Sequence, residues 1–381
     1  MKKAKGKSNA KTLFRIKEIP TDNHIRDILD EVPPDMLLPI FDTMFSVLKE
    51  NSFLDSFRSF NQNFLVALDG TEYFSSKKVY CDNCSTTTHK NGKITYHHTA
   101  ILPAIVAPGQ NKVISMYPEF ITLQDGHDKQ DCETAAAKRW VDKNAKRFSP
   151  FGVTILGDDL YSRQPLCVKL IKNEFHFIFV CKPDSHKTLY EWVELLEVGT
   201  DLHVSSSRKW NGKYWETTTY RYACDVPLRD SDDALKVNWF EVTICNEEGE
   251  ILYKNSFVTD HKITDKNVAS AVSAGRGRWK TENENNNTLK TKGYNLEHNF
   301  GHGSKHLSSF LAALNILAFL LHTLLEFMDK QYCALRAELS KRKTFFDDIR
   351  ALTRYICFES WSHMMNFMLE GLENNHIPDT G

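Results

Sequence analysis

Two runs of strand length and strand composition, FLVALD at 64–69 and VTILGDD at 153–159, each stop on a carboxylate. A dry strand that delivers an acid at its end is a narrow constraint once it occurs twice. Neighbouring strands sit about 4.8 Å apart, so a second run returning beside the first would aim its acid into the same space. Two carboxylates that close repel unless a proton or a cation sits between them. Alone, Asp69 before Gly70 is an ordinary turn residue; with Asp158 at a parallel position, a metal site becomes the better reading. Oxygen ligands of this kind suit Mg²⁺, with Mn²⁺ able to substitute.

The rest of the chain can bury such runs. Its 381 residues suffice for two or three compact units, and 41% hydrophobic with 25% charged residues is ordinary for a globular protein. Lys and Arg number 48 against 49 Asp and Glu, so the net charge of −1 gives no whole-molecule attraction to nucleic acid or membrane. Nine scattered cysteines, an odd number, point to reduced thiols in a cytosolic setting. The basic start MKKAKGKSNAKTLFR lacks the apolar run of a signal peptide. The apolar stretch 311–325 is short for a bilayer and carries Asn315 and His322, so a buried helix and no membrane are expected.

The patterning divides the chain into five segments. Residues 1–62 are a basic arm and a helical N-terminal segment. Residues 63–198 read as β-β-β-α-β-α-β, with helices over 128–148, 165–173 and 186–198. In that reading Asp128 or Asp131 caps the first helix, and Cys132, Ala136 and Trp140 share one face of it. Residues 199–262 alternate with period two and form an all-β insertion. Residues 263–305 return to helix and carry Glu282 and Glu284. Two residues apart on a regular helix, these point about 200° from each other, so one of them faces the acids. Residues 306–381 are helical in pattern.

The order of these elements, the β insertion and three acids resemble the RNase-H-like catalytic domain of DDE transposases from bacterial insertion sequences. LDGTEYFSS around Asp69 resembles the first-acid strand. ILGDDLY resembles the second, whose pattern of Asp, two residues and an aromatic selects Asp158, with Tyr161 after it, over Asp159. RWKTE resembles the family's Arg-Trp-x-x-Glu and selects Glu282, preceded by Arg278 and Trp279. The resemblance spans residues 60–305. It implies an enzyme in which Asp69, Asp158 and Glu282 hold two Mg²⁺ ions. These would serve cleavage at transposon ends and strand transfer to target DNA. A homodimer in the synaptic complex and a cytoplasmic, nucleoid-associated location follow from the same resemblance. The insertion branch usually carries Tyr-x2-Arg-x3-Glu-x6-Lys. Here Gly275 stands at the Tyr position, Leu289 at the Lys position, and Lys290 falls one residue late. A truncated or inactive DNA-binding derivative, and a nuclease on this fold without strand transfer, are the alternatives.

Three further groups stand out. Arg278 and Lys290 read as DNA-backbone contacts or as solvated helix residues. In the insertion, Arg208 interleaves with Trp210 and Trp215, a pattern that suits stacking on distorted DNA ends and equally a packed sheet face. Cys81-x2-Cys84 invites a zinc reading. A two-residue Asn91-Gly92 turn would pair Lys90 with Lys93 and put His97 on the face of Cys84, with His98 opposite. That makes three ligands, Cys81, Cys84 and His97, and lacks a fourth, so reduced thiols without zinc are expected.

Overall fold

The computed structural model describes residues 6–122, 132–199, 201–299 and 301–373. Helices α1 (Gly6–Phe14), α2 (Asp22–Asp30) and α3 (Leu38–Glu50) come first. Seven short strands follow: β1 (Phe64–Ala67), β2 (Gly70–Ser76), β3 (Ser85–Thr88), β4 (Ile94–Ile101), β5 (Ala104–Val106), β6 (Ile114–Ser115) and β7 (Glu119–Ile121). Then come α4 (Glu133–Phe148), β8 (Val153–Gly157), α5 (Gln164–Lys172), β9 (His176–Val180) and α6 (Lys187–Val198). Four long strands, β10 (His203–Trp210), β11 (Trp215–Pro227), β12 (Lys236–Cys245) and β13 (Ile251–Thr259), precede α7 (Val268–Arg276) and α8 (Asn287–Thr291). The chain closes with α9 (Leu307–Met328), α10 (Lys330–Glu338), α11 (Arg342–Tyr355) and α12 (Trp361–Glu373).

The chain forms two compact units, one of residues 54–72 and 98–286, the other of 1–53, 73–97 and 287–381. The N- and C-terminal helical segments, read separately in the sequence, thus fall in one unit. The first unit is built on a nine-stranded sheet in the order β10-β11-β12-β13-β9-β8-β1-β5-β6. β1 runs antiparallel to β5, and β5 to β6, while β1, β8 and β9 are parallel. Every residue of β1 and β8 is buried, as their unbroken apolar composition requires of strands covered on both faces. α4 turns Ala136, Ala137, Trp140 and Val141 inward, a face at helical spacing. Cys132, expected on that face, is instead the exposed residue that precedes the helix. The expected caps Asp128 and Asp131 lie outside the described residues.

The β insertion does not stand apart from the core sheet. β13 pairs antiparallel with β9, matching Phe257 with Val180 and Val258 with Phe179, so the four strands continue the sheet past its parallel edge. Burial of Phe257 and Val258 makes this the favourable solution, since an open edge there would expose unpaired backbone and apolar side chains.

In the second unit, α1 is held by a buried asparagine. Asn9 donates to the carbonyls of Thr353 and Ile356 and accepts from Phe358 N–H at 2.9 Å. Around it Leu13, Tyr332, Leu335, Phe345, Phe358, Met364 and Met368 form a core. Asp30 accepts backbone N–H bonds from Ser304, Lys305, His306 and Leu307, satisfying donors that α9 leaves open at its start. α9 has 22 residues and is long and apolar enough to cross a membrane, the one such helix among the described residues; 44% of its most apolar window is buried within the protein. Its polar residues serve tertiary contacts: Asn315 donates to the Tyr294 carbonyl at 2.7 Å, and the Tyr294 hydroxyl bonds His322 Nδ1 at 2.7 Å.

The β3–β4 hairpin corrects the expected register. Ser85 pairs with His97 and Thr88 with Ile94, and His89 N–H donates to the Lys93 carbonyl at 2.9 Å. The loop therefore holds three residues, Lys90 to Gly92. A two-residue turn of the expected type needs positive φ at both central positions, and here the positive φ falls on Gly92, at 74°. A slip of one residue turns every side chain to the other face. His98, not His97, lies opposite Cys84.

Candidate metal-binding active site

Asp69 and Asp158 emerge from adjacent strand ends. Ala67 pairs with Leu156 in the parallel β1–β8 ladder, and Leu68 N–H donates to the Leu156 carbonyl at 2.9 Å. Each chain then delivers its acid two residues beyond the matched pair. Asp158 accepts from Leu160 N–H at 2.9 Å, which holds the turn after β8. Asp159 serves a different end: its Oδ1 accepts from Lys182 N–H and the Ser185 hydroxyl, pinning the segment between β9 and α6.

The third acid sits on an irregular turn. α7 ends at Arg276, and Thr281–Asn286 then forms a π-helical turn before α8 begins. Such i→i+5 turns occur as single bulges, frequently at functional sites. This one buries Asn285 and Asn286 and leaves Glu282 exposed. Asn285 is anchored by the Ser115 hydroxyl at 2.6 Å, and Asn286 donates from Nδ2 to Asp69 Oδ2 at 2.8 Å. The expectation of a regular closing helix is therefore corrected at the residues that carry the third acid.

Glu282 and Asp158 both act on Asp69. The Asp69 carboxyl is pushed up to about 6, chiefly by burial; Arg278 opposes the rise, while Glu133, Glu282 and Asp158 add to it. Arg278 lies 3.9 Å from Asp69 Oδ1, so the first acid, and not Glu282, is its ion-pair partner. The acid trio is looser than a closed metal cage. Among the described residues, the groups whose ligand atoms all lie within 4.8 Å of one another are Cys81, Cys84, His98 and His302, and His176, Asp260 and His261.

Glu133 is the site residue that sequence reasoning missed. It opens α4, accepts from Gly70 N–H at 3.0 Å, and receives the Tyr161 hydroxyl at 2.5 Å. A Cβ on Gly70 would come within 2.4 Å of Glu133 Oε2, so any side chain after Asp69 would push the Glu133 carboxylate aside. Tyr161, the aromatic after the second acid, is fully buried, and its hydroxyl is held well above its ordinary range by burial and then by Glu133. The only available signal was the glycine following Asp69, which turn chemistry explained equally well.

Other expected residues lie elsewhere. Trp210 and Trp215 meet edge to face at the tip of the β10–β11 hairpin, both exposed, with Arg208 stacked 5.4 Å from the Trp215 ring. Lys290 pairs with Glu297 at 2.8 Å. Leu289 is fully buried. Gly275 packs α7 so closely that a Cβ would fall 2.8 Å from Phe257, which excludes an aromatic at this position. Cys81 and Cys84 come together with His98 and His302, and His97 is replaced in that group. In the remaining cluster, His176 bonds Asp260 at 2.6 Å, and burial pushes His261 down to about 4.

No protein-family model matches the chain, and no curated protein matches it.

Proposed function

We propose that the protein is a DNA transposase of the DDE kind, cutting at element ends and transferring the freed strand. The observation that carries this reading is the delivery of Asp69 and Asp158 from adjacent ends of the parallel strands β1 and β8, with the turn that bears Glu282 bonded to Asp69 through Asn286. The core order β6-β5-β1-β8-β9, an antiparallel trio beside two parallel strands, supports an RNase-H-like arrangement with the acids at the ends of β1 and β8. A carboxylate surrounded by three others is a place where a divalent cation relieves repulsion.

In this reading Asp69, Asp158 and Glu282 hold Mg²⁺ or Mn²⁺. Bound there, the ions would polarise the scissile phosphate and ease ionisation of the attacking water or 3′-hydroxyl. The carboxylates supply the oxygens and fix their spacing. Asn286 and Arg278 orient Asp69, and Arg278 is close enough to exchange that contact for a phosphate oxygen. Attack by water breaks a P–O bond and leaves a 3′-hydroxyl; that hydroxyl attacks a phosphate of target DNA in line. Transposon ends and target DNA are the partners, and two copies of the chain hold two ends. The location is the bacterial cytoplasm, at the nucleoid.

The test is metal-dependent nicking of a supercoiled plasmid carrying candidate end sequences, with Asp69→Ala as control and joined products assayed separately. Nicking by Asp69→Ala at the wild-type rate overturns the assignment. Cleavage without joining favours a nuclease. A second reading rests on the Arg278–Asp69 contact: an internal cation in place of a metal describes a copy that binds DNA without cutting. DNA binding without nicking, by wild type and Arg278→Ala alike, selects it.

A further inference from the structure

The Cys81-x2-Cys84 turn gains two ligands that the sequence does not place beside it. Cys84 Sγ lies 3.9 Å from Cys81 Sγ and 3.2 Å from His302 Nε2, and with His98 all four ligand atoms are within 4.8 Å of one another. The boundary between the compact units falls inside β4, between His97 and His98. His98 follows His97 on the same strand β4, and carrying the register one step past Ser85 and His97 brings it opposite Cys84.

These distances match one chemistry. A tetrahedral zinc ion with Zn–S of about 2.3 Å and Zn–N of about 2.0 Å sets its sulfurs about 3.8 Å apart and sulfur from nitrogen about 3.5 Å apart. A disulfide needs about 2.05 Å between sulfurs, against the 3.9 Å that separates these two. A nucleophilic Cys–His pair needs access, and Cys84 is 4% exposed. Tetrahedral S₂N₂ donors with no open position are the signature of structural zinc.

The surroundings hold the ligands in place. Cys84 N–H closes the turn onto the Cys81 carbonyl at 3.1 Å, and Cys81 N–H points at Cys84 Sγ from 3.4 Å. The His302 ring packs against Phe74, centroids 4.4 Å apart, and Asn83 donates to the Lys305 carbonyl at 2.9 Å. The loop bearing His302 is thus tied to the cysteine turn by a contact that involves no ligand.

We propose that Cys81, Cys84, His98 and His302 bind one structural zinc ion, which clips the β3–β4 hairpin to the loop preceding α9. Cys84 and His302 are 218 residues apart, and a clip across so long a loop restrains the unfolded chain strongly. The site is independent of the acids, so its test does not depend on any DNA activity.

The experiment is elemental analysis of the purified full-length chain after zinc loading and desalting, with cobalt substitution as a spectroscopic probe. One zinc per chain and a tetrahedral thiolate–cobalt spectrum are expected. His98→Ala should lose zinc affinity by more than the roughly 10–100-fold that removal of an outer-sphere partner costs. His97→Ala and Asp69→Asn should retain the metal. His302→Cys, which keeps a ligand, should bind zinc with a spectrum shifted towards three sulfurs. Should the histidine variants fail to fold, chelation of wild type decides: Cys81 and Cys84 become reactive to a thiol reagent when zinc is stripped. Sub-stoichiometric zinc in the loaded wild type, thiol reactivity indifferent to the chelator, or equal loss in His97→Ala and His98→Ala each overturns the proposal.

Discussion

Asn286 reaches across 217 residues of chain to donate a 2.8 Å hydrogen bond to Asp69. The π turn presents it, and the buried Asn285 beside it is locked to Ser115. Hydrogen bonds to charged groups contribute about 1.5–3 kcal/mol. Asn286→Ala should therefore destabilise the protein by about 2 kcal/mol in urea denaturation. Asn286→Asp should cost more, because it sets another negative charge against Asp69. Equal losses would show that the contact is not charge-assisted.

Asp69 also predicts an unusual pH dependence. Its carboxyl titrates near 6 in the folded protein against an ordinary 3.8, so between those values the folded state holds the extra proton. Stability should fall as pH rises from about 4 to about 6, by roughly 3 kcal/mol at one pKa unit per 1.36 kcal/mol. Asp69→Asn should remove that slope and be the more stable protein at pH 8, as expected where function is held against stability. Denaturation in chelator across this range is the measurement. Added Mg²⁺ should flatten the wild-type slope by favouring the ionised acid.

Glu133 should set the acidic limb of any nicking activity. Its charge helps raise Asp69, so Glu133→Gln should let Asp69 ionise at lower pH and move that limb towards acid. The amide oxygen can still accept from Gly70 N–H, so the fold should survive. An unmoved limb would mean that another group controls it.

At Gly275 the packing is tight enough to predict a steric cost. Gly275→Ala drives a methyl to 2.8 Å from the Phe257 ring and should cost about 1–3 kcal/mol. Phe257→Leu should recover part of that loss in a double-mutant cycle. Additive losses would refute the contact.

Trp210 and Trp215 should matter to DNA and little to the fold. Both are exposed at a hairpin tip, so alanine there should leave thermal stability nearly unchanged. Each substitution should weaken binding of single-stranded end oligonucleotides by about 1–3 kcal/mol in fluorescence anisotropy. Unchanged affinity would restrict the pair to packing against each other.

What could be foreseen depended on whether a residue's role is local. The strands at 64–67 and 153–157 are continuous apolar runs, and their pairing follows once a helix separates them. The acids at their ends were visible for the same reason. Glu133 was not, because its place depends on how α4 starts against Gly70, a tertiary contact with no periodic trace. His98 was misplaced by a single residue of turn geometry: Asn-Gly serves two loop lengths, and the choice reverses the faces of the strand. His302 was beyond reach, since no spacing rule links it to Cys84. The insertion residues do form strands, though burial along them does not alternate, and a strand pattern does not say which edge it joins; that depends on β9 offering one.

A bulge of i→i+5 type stores one extra residue in a helix without breaking it. Motifs are counted in residues, whereas side chains are aimed by turns. The Glu-x6-Lys pattern that the sequence resembles puts its lysine at 289, and here Lys290 follows a π turn over Thr281–Asn286. A π turn there rotates every later side chain, Lys290 included, away from the face that counting along a regular helix would assign it.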